Sequence, residues 1–309
     1  MLPPGVSMDV PPILARIGNT PLIELWRTSP HAPRVRILAK CEFANPSGSV
    51  KDRAAWWMVQ DGLRSGELSS GREIVEASSG NTGIALAMIG AVLGIRVTIV
   101  MPTMASHERK RLLAAYGARH VATPPEEGQD GAILRAREMA KEDPGRWWYP
   151  DQYSHPANVR AHYESTGPEI WRDTGGGATH LVCGLGTGGT ATGTGRFLRE
   201  RSPAVRIVGV EPDSGFHGIE GLKHMASSLR PAVFDERVLT DRATVRTEDA
   251  YEHARRLARQ EGIFAGPSSG AVLAASLRLA ASLPPSEQAT VVAILADGGL
   301  RYLSTRTSE

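Results

Sequence analysis

Four short stretches of the chain carry residue types that do chemistry, at spacings that chemistry needs. Pro46-Ser-Gly-Ser-Val-Lys51-Asp-Arg53 is a turn of small residues delivering one lysine to the start of a helical pattern. Glu76-Ala-Ser78-Ser79-Gly80-Asn81-Thr82-Gly83 follows a strand-like run and opens a helix. First-turn amides lack intrahelical partners, so hydroxyls and a glycine there suit either an N-cap or the close approach of a carboxylate or phosphate. Gly184-Leu-Gly186-Thr187-Gly188-Gly189-Thr190 also follows a strand and opens a helix, and its missing Cβ atoms let successive amides converge on a phosphate. Gly266-Pro-Ser268-Ser269-Gly270 precedes an apolar helix.

Each stretch has a plain structural reading when taken alone. A lone lysine usually faces solvent, and Ser, Asn or Thr at a helix start is an ordinary cap. The third stretch also fits G-x-G-x-x-G, with Glu211 lying 22 residues beyond Gly189, where an acid holds the ribose of a dinucleotide. A nicotinamide-dependent oxidoreductase would use that one loop and leave three unexplained. Pyridoxal phosphate needs a lysine amine, a multi-amide cup for its phosphate, a partner for its ring nitrogen and a site for the substrate carboxylate. Four loops answer those four needs.

The elements that must position these loops alternate in βαβ order. Glu73 to Ala77 leads into a helix from about Thr82 to Leu93; Val97 to Met101 precedes a helix near Ser106 to Tyr116; Ala118 to Ala122 precedes one near Gly131 to Lys141. A second series has His180 to Cys183, a helix from about Thr190 to Arg201, Val205 to Val210, helices near Thr247 to Glu261 and Ser269 to Ser282, and the strand Thr290 to Leu295. Asp143-Pro-Gly-Arg-Trp-Trp-Tyr-Pro-Asp reads as a connection, with a boundary near Gln152. Two α/β domains with a cleft between them follow, with functional loops at the carboxyl ends of parallel strands.

Composition narrows the partners. With 35 Lys and Arg against 33 Asp and Glu, the net charge of +2 gives no field that would recruit nucleic acid or an anionic membrane, so small molecules are expected. The 13-residue apolar stretch Gly83 to Ile95 falls short of the roughly 18 to 20 residues that span a bilayer. The N-terminus lacks the basic and apolar regions of a secretory signal, so a cytoplasmic protein is expected. Cys41 and Cys183, in apolar surroundings, read as reduced core thiols rather than a disulfide or a metal site.

The ordered set Ile17-Gly-Asn-Thr-Pro-Leu22, Asn45-Pro-Ser-Gly-Ser-Val-Lys-Asp-Arg53, Ser79-Gly-Asn-Thr-Gly83, Met101-Pro102 with Ser106, Glu108 and Arg109, Gly186-Thr-Gly-Gly-Thr190 and Arg301-Tyr-Leu-Ser-Thr305 resembles the fold-type II pyridoxal-phosphate enzymes, and within them the cysteine synthase (O-acetylserine sulfhydrylase) family. Asp297 within Ala296-Asp297-Gly298 looks more like the B-type synthases. The resemblance runs nearly end to end. It implies a tryptophan synthase β-like α/β fold of two three-layer domains with mainly parallel sheets. A smaller N-terminal domain, 41–152, would close over the substrate; a larger one, 153–309 plus about 13–40, would hold the cofactor phosphate. A homodimer is implied, with a sulfur carrier or an acetyltransferase as candidate protein partners.

The resemblance also implies roles. Lys51 would form the imine with the cofactor, Gly186, Thr187, Gly188, Gly189 and Thr190 would hold its phosphate, Asn81 its ring hydroxyl and Ser268 its pyridine nitrogen. Ser78, Ser79, Gly80 and Thr82, aided by Gln152, would hold the substrate carboxylate. Gly218 and Lys223 would lie across the active-site mouth, where a basic side chain suits O-phosphoserine better than O-acetylserine. A serine hydroxyl cannot keep the pyridine protonated, which favours β-elimination over a long-lived quinonoid. Lys51 would take the α-proton as the β-substituent leaves, and a sulfur nucleophile would attack the aminoacrylate to give L-cysteine. Asp297, at a strand's carboxyl end, weakens that argument if it reaches the ring nitrogen. Cystathionine β-synthase-type condensation fits the same four loops, and a catalytically silent binding partner is the alternative from another class.

Overall fold

A computed structural model describes residues 10–29, 34–69, 71–78 and 80–304. In chain order its elements are strands β1 (Leu22–Glu24) and β2 (Val35–Cys41), helix α1 (Lys51–Ser65), β3 (Glu73–Ala77), α2 (Asn81–Leu93), β4 (Val97–Pro102), α3 (His107–Ala115), β5 (Arg119–Thr123), α4 (Gly128–Glu142), β6 (Trp147–Trp148), α5 (Pro156–Ala161), α6 (Gly167–Asp173), β7 (His180–Gly184), α7 (Gly189–Arg201), β8 (Arg206–Pro212), β9 (Asp241–Val245), α8 (Thr247–Arg256), α9 (Pro267–Ser282) and β10 (Ala289–Leu295).

The strands form two sheets, ordered β1-β2-β10-β7-β8-β9 and β5-β4-β3-β6. All pairs are parallel except β1 with β2. Interior strands such as β3 and β10 read as nearly continuous apolar runs, the pattern of parallel strands covered on both faces. Helix α9 is mostly buried, and a Cβ at Gly270 would overlap the Ala250 carbonyl, so the missing side chain is what lets α8 and α9 approach. One apolar cluster joins β2, β10 and α9; another joins α1, α2, β3 and β4.

Four elements depart from the sequence expectation. The stretch read as a connection contains β6, whose two tryptophans pair with Glu73 and Ile74, and β1 and β2 add N-terminal strands to the larger sheet. The helix expected from Thr247 to Glu261 ends as α-helix at Arg256 and widens into a π turn over Leu257–Glu261. Among the described residues no helix is long and apolar enough to cross a membrane.

Candidate active site

Lys51 is the first residue of α1, and two residues on Arg53 fixes that helix. Arg53 is fully buried, with Nε 2.7 Å from Glu42 and Nη1 2.7 Å from Glu169, while Lys40 also meets Glu169 at 2.7 Å. Burial opposes these charges, yet the carboxylates raise the Arg53 pKa and hold the ion cluster together. The lysine-bearing helix is thereby tied to β2 and α6. Burial pushes the Lys51 ammonium below its ordinary pKa, opposed by Asp297 and Glu42, which favours the neutral amine a base or nucleophile needs.

Lys51 lines a cavity with Ser78, Gly80, Asn81, Thr82 and Gln152 on one side and Gly186, Thr187, Gly188, Thr190 and Ser268 on the other. At the start of α2 the Ser78 hydroxyl caps, accepting from the Gly80 and Gly83 amides at 3.2 and 3.0 Å. Thr82 donates to Gln152 Oε1 at 2.7 Å, and Gln152 Nε2 donates to the Ala77 carbonyl at 3.0 Å. Ser79, expected in the substrate loop, lies outside the described residues, as does Thr305 of the C-terminal motif. The Asn81 amide is held at both ends: Arg301 donates to its Oδ1, and its Nδ2 donates to Asp297 at 2.7 Å.

Opposite, Gly188 adopts φ +80°, where a side chain is strained, and its Cβ would enter the Phe234 ring. A Cβ at Gly186 would overlap the Gly221 carbonyl, and one at Gly189 would overlap Asn158. The loop thus presents bare backbone at the N-terminus of α7, fit for an anion such as a cofactor phosphate. Thr187 Oγ1 accepts from Asn158 Nδ2 at 3.1 Å and from the Gly189 amide at 3.3 Å, so its own hydrogen is available to an acceptor in the cavity. Gly189 itself stands behind the wall. His162 bridges Thr166 and Thr190 at 2.9 and 3.2 Å; burial, aided by Arg53, lowers its pKa to about 3, so the ring is neutral.

Four residues singled out in the sequence lie off the cavity wall, although Glu220, Gly221 and Leu222, between two of them, line it. Lys223 is buried with its ammonium 3.0 Å from Asp130 and beside the Tyr153 ring, and it does not line the cavity. Its charge is balanced by an acid 93 residues earlier, which local sequence cannot reveal. Gly218 is likewise outside the wall, bonded to Thr247 and Tyr251. Glu211 accepts from the Met225 amide and from Arg242 at 2.9 and 3.0 Å, a structural commitment that removes the ribose-binding acid of the dinucleotide reading. Asp297, off the cavity wall, accepts at Oδ2 from Asn81 and, at 2.5 Å, from Tyr302, while its Oδ1 is buried without a hydrogen-bond partner among the described residues.

Sequence reasoning missed Asn158, His162, Glu220 and Tyr302, and gave Arg109 no role. Arg109 and Tyr302 stand in motifs already noted, and Glu220 lies between Gly218 and Lys223 in the segment expected across the mouth; Asn158 and His162 carry no local signal. Among the described residues no group of three or more His, Cys, Asp or Glu is arranged to hold a metal ion.

A family model described as pyridoxal-phosphate dependent enzyme matches residues 13–297. The chain is 49% identical over 296 residues to a cysteine synthase of Aquifex aeolicus (strain VF5), covering 95% of this chain and 90% of that one. It is 45% identical to cysteine synthase B of Escherichia coli (strain K12), covering 94% and 93%. The crystal structure of the cysteine synthase (OASS) of Entamoeba histolytica superposes with a TM-score of 0.90 at 37% identity, covering 98% of this chain and 93% of that one.

Proposed function

Because the chain belongs to the pyridoxal-phosphate dependent enzyme family and within it to the cysteine synthases, we propose that Lys51 is its catalytic lysine and that the cavity around it is the active site. The enzyme uses pyridoxal phosphate to form L-cysteine from an activated serine and a sulfur nucleophile. Neither a dinucleotide enzyme nor a silent scaffold is favoured by its relatives.

When bound, pyridoxal phosphate draws electrons from the α-carbon of an attached amino acid, so that a β-substituent can leave and sulfur can take its place. Amides of Gly186 to Thr190 and the Thr187 hydroxyl would hold the phosphate, with Asn158 and His162 keeping both threonines in place. Asn81 Nδ2 carries a second hydrogen for the ring hydroxyl, and Ser268 would face the pyridine nitrogen. Ser78, Gly80, Thr82 and Gln152 would receive the substrate carboxylate at the positive end of α2. Lys51 Nζ would take the α-proton and return it to the same carbon after the C–O bond has broken and the C–S bond has formed.

The observation that carries this reading is the convergence of Lys51 with the first turns of α2, α7 and α9 on one cavity. We also propose that 41–152 moves inward on substrate binding against 153–309 plus about 13–40, and that the enzyme is a cytoplasmic homodimer. The free, buried thiols of Cys41 and Cys183, both pushed by burial to a pKa of about 12, suit a reducing compartment. The functional reading is tested by titrating the purified holoenzyme with O-acetylserine, following its visible spectrum, then adding sulfide and assaying cysteine. A protein without visible absorbance that makes no cysteine overturns it.

A further inference from the structure

The cavity wall carries three charged side chains among the described residues: Lys51, Arg109 and Glu220. Arg109, on α3 and only 3% exposed, places its guanidinium 5.0 Å from the Tyr302 ring centroid and beside the Gly80 turn. Its charge is met by an ion pair with Glu220, whose side chain is 36% exposed. Glu220 stands next to Gly221, whose carbonyl lies against Gly186, so the carboxylate reaches from the phosphate-loop side of the cavity to the substrate-loop side. The neighbouring cation, Lys223, is paired with Asp130 outside the wall.

Resting on the reading above, cofactor and substrate already bring a phosphate and a carboxylate into this space. An acetyl ester adds no charge; a phosphate ester adds about −1.5 to −2. That further anion would meet the Glu220 carboxylate with like charge, while the guanidinium that could balance it is already committed to Glu220. We propose that Glu220 is a specificity-determining residue: by holding the Arg109 guanidinium in an ion pair it withholds that charge from a phosphate ester, and so favours a serine ester that carries no charge before cleavage, such as the acetyl ester, over the phosphate ester.

The test compares kcat/KM of the holoenzyme for O-acetylserine and O-phosphoserine, with sulfide as nucleophile, in the parent, Glu220→Gln and Glu220→Ala. The parent is expected to prefer O-acetylserine. Glu220→Gln keeps the shape and removes the charge, so it should raise the ratio of kcat/KM for O-phosphoserine to that for O-acetylserine about tenfold or more. Inorganic phosphate should also inhibit O-acetylserine turnover with a Ki lowered about tenfold in this variant, a readout that loss of packing would not produce. A parent that uses O-phosphoserine as well as O-acetylserine, or a donor ratio unchanged in both variants, overturns the proposal alone. Turnover of neither ester overturns the functional reading and the proposal with it.

Discussion

Thr82 donates its hydroxyl hydrogen to Gln152 Oε1 at 2.7 Å, and both side chains are buried. The bond joins the first turn of α2 to the residue range after β6, and Gln152 is further fixed by the Ala77 carbonyl and by its own amide on Glu76 at 3.1 Å. Thr82→Val preserves the shape, removes the donor and leaves the Gln152 oxygen without it, at a cost of about 1 to 3 kcal/mol. The variant is expected to bind amino-acid substrate about tenfold more weakly while holding pyridoxal phosphate within about twofold of the parent. Substrate and cofactor titrations check this; equal losses in both would mark the bond as a structural cap.

Borohydride reduction of the holoenzyme should tether the cofactor to Lys51 and no other lysine, as read by peptide mapping. Lys51→Ala should retain cofactor through the Gly186 to Thr190 amides but lose at least about a hundredfold in turnover, because the α-proton then has no base at hand. A label on another lysine would move the catalytic assignment away from α1.

The bare backbone at the head of α7 supplies a steric test. A methyl at Gly189 would overlap the Asn158 amide, which donates to Thr187 Oγ1 and, at 2.7 Å, to the Gln152 carbonyl. Gly189→Ala is therefore expected to disturb the phosphate loop and the substrate side together, weakening pyridoxal phosphate binding about tenfold or more and costing about 1 to 3 kcal/mol of stability. Adding Asn158→Ala should not restore affinity, since the Thr187 partner is then lost as well. Recovery in the double variant would show that Asn158 merely fills space.

What was legible in the sequence and what was not follows from the range of the interactions. Strands β3, β4, β7 and β10 could be read because buried parallel strands are apolar runs punctuated by glycine or polar turns. The loops around Lys51, Asn81 and Gly186 could be read because their chemistry is local: small residues, a donor, a helix start. Strand β6 could not, because two tryptophans between prolines and aspartates give no period, and only the pairing with Glu73 and Ile74 makes them a strand. Likewise His162 and Asn158 lie in a helical stretch with ordinary composition, and Arg53 acquires its role from Glu169, 116 residues away. Lys223 is a further case: its type suggested a ligand cation, and its pairing with Asp130, 93 residues earlier, is not legible locally.

Glu76 yields a prediction about pH. Its carboxyl is fully buried at the end of β3, accepting from the amides of Ala77 and Gln152 at 2.9 and 3.1 Å. Burial, reinforced by the nearby charge of Asp151, raises its pKa from the ordinary 4.5 to about 8, the amide bonds and Arg137 opposing. Below the unfolded value the group is protonated in both states and its contribution to stability is fully present. Between roughly 4.5 and 8 the folded protein keeps a proton that the unfolded chain has released, so stability falls as pH rises, by up to about 1.4 kcal/mol per pH unit, and levels off above the folded value. Glu76→Gln keeps an uncharged side chain of similar shape and removes this dependence. Urea unfolding of parent and variant from pH 5 to about 9 should therefore give curves whose difference widens with pH, the parent losing ground to Glu76→Gln until the carboxyl has ionised in the folded state too. Parallel curves across that range would mean that Glu76 is already ionised in the folded protein, held as a carboxylate by the two amides that carry Gln152 to the cavity.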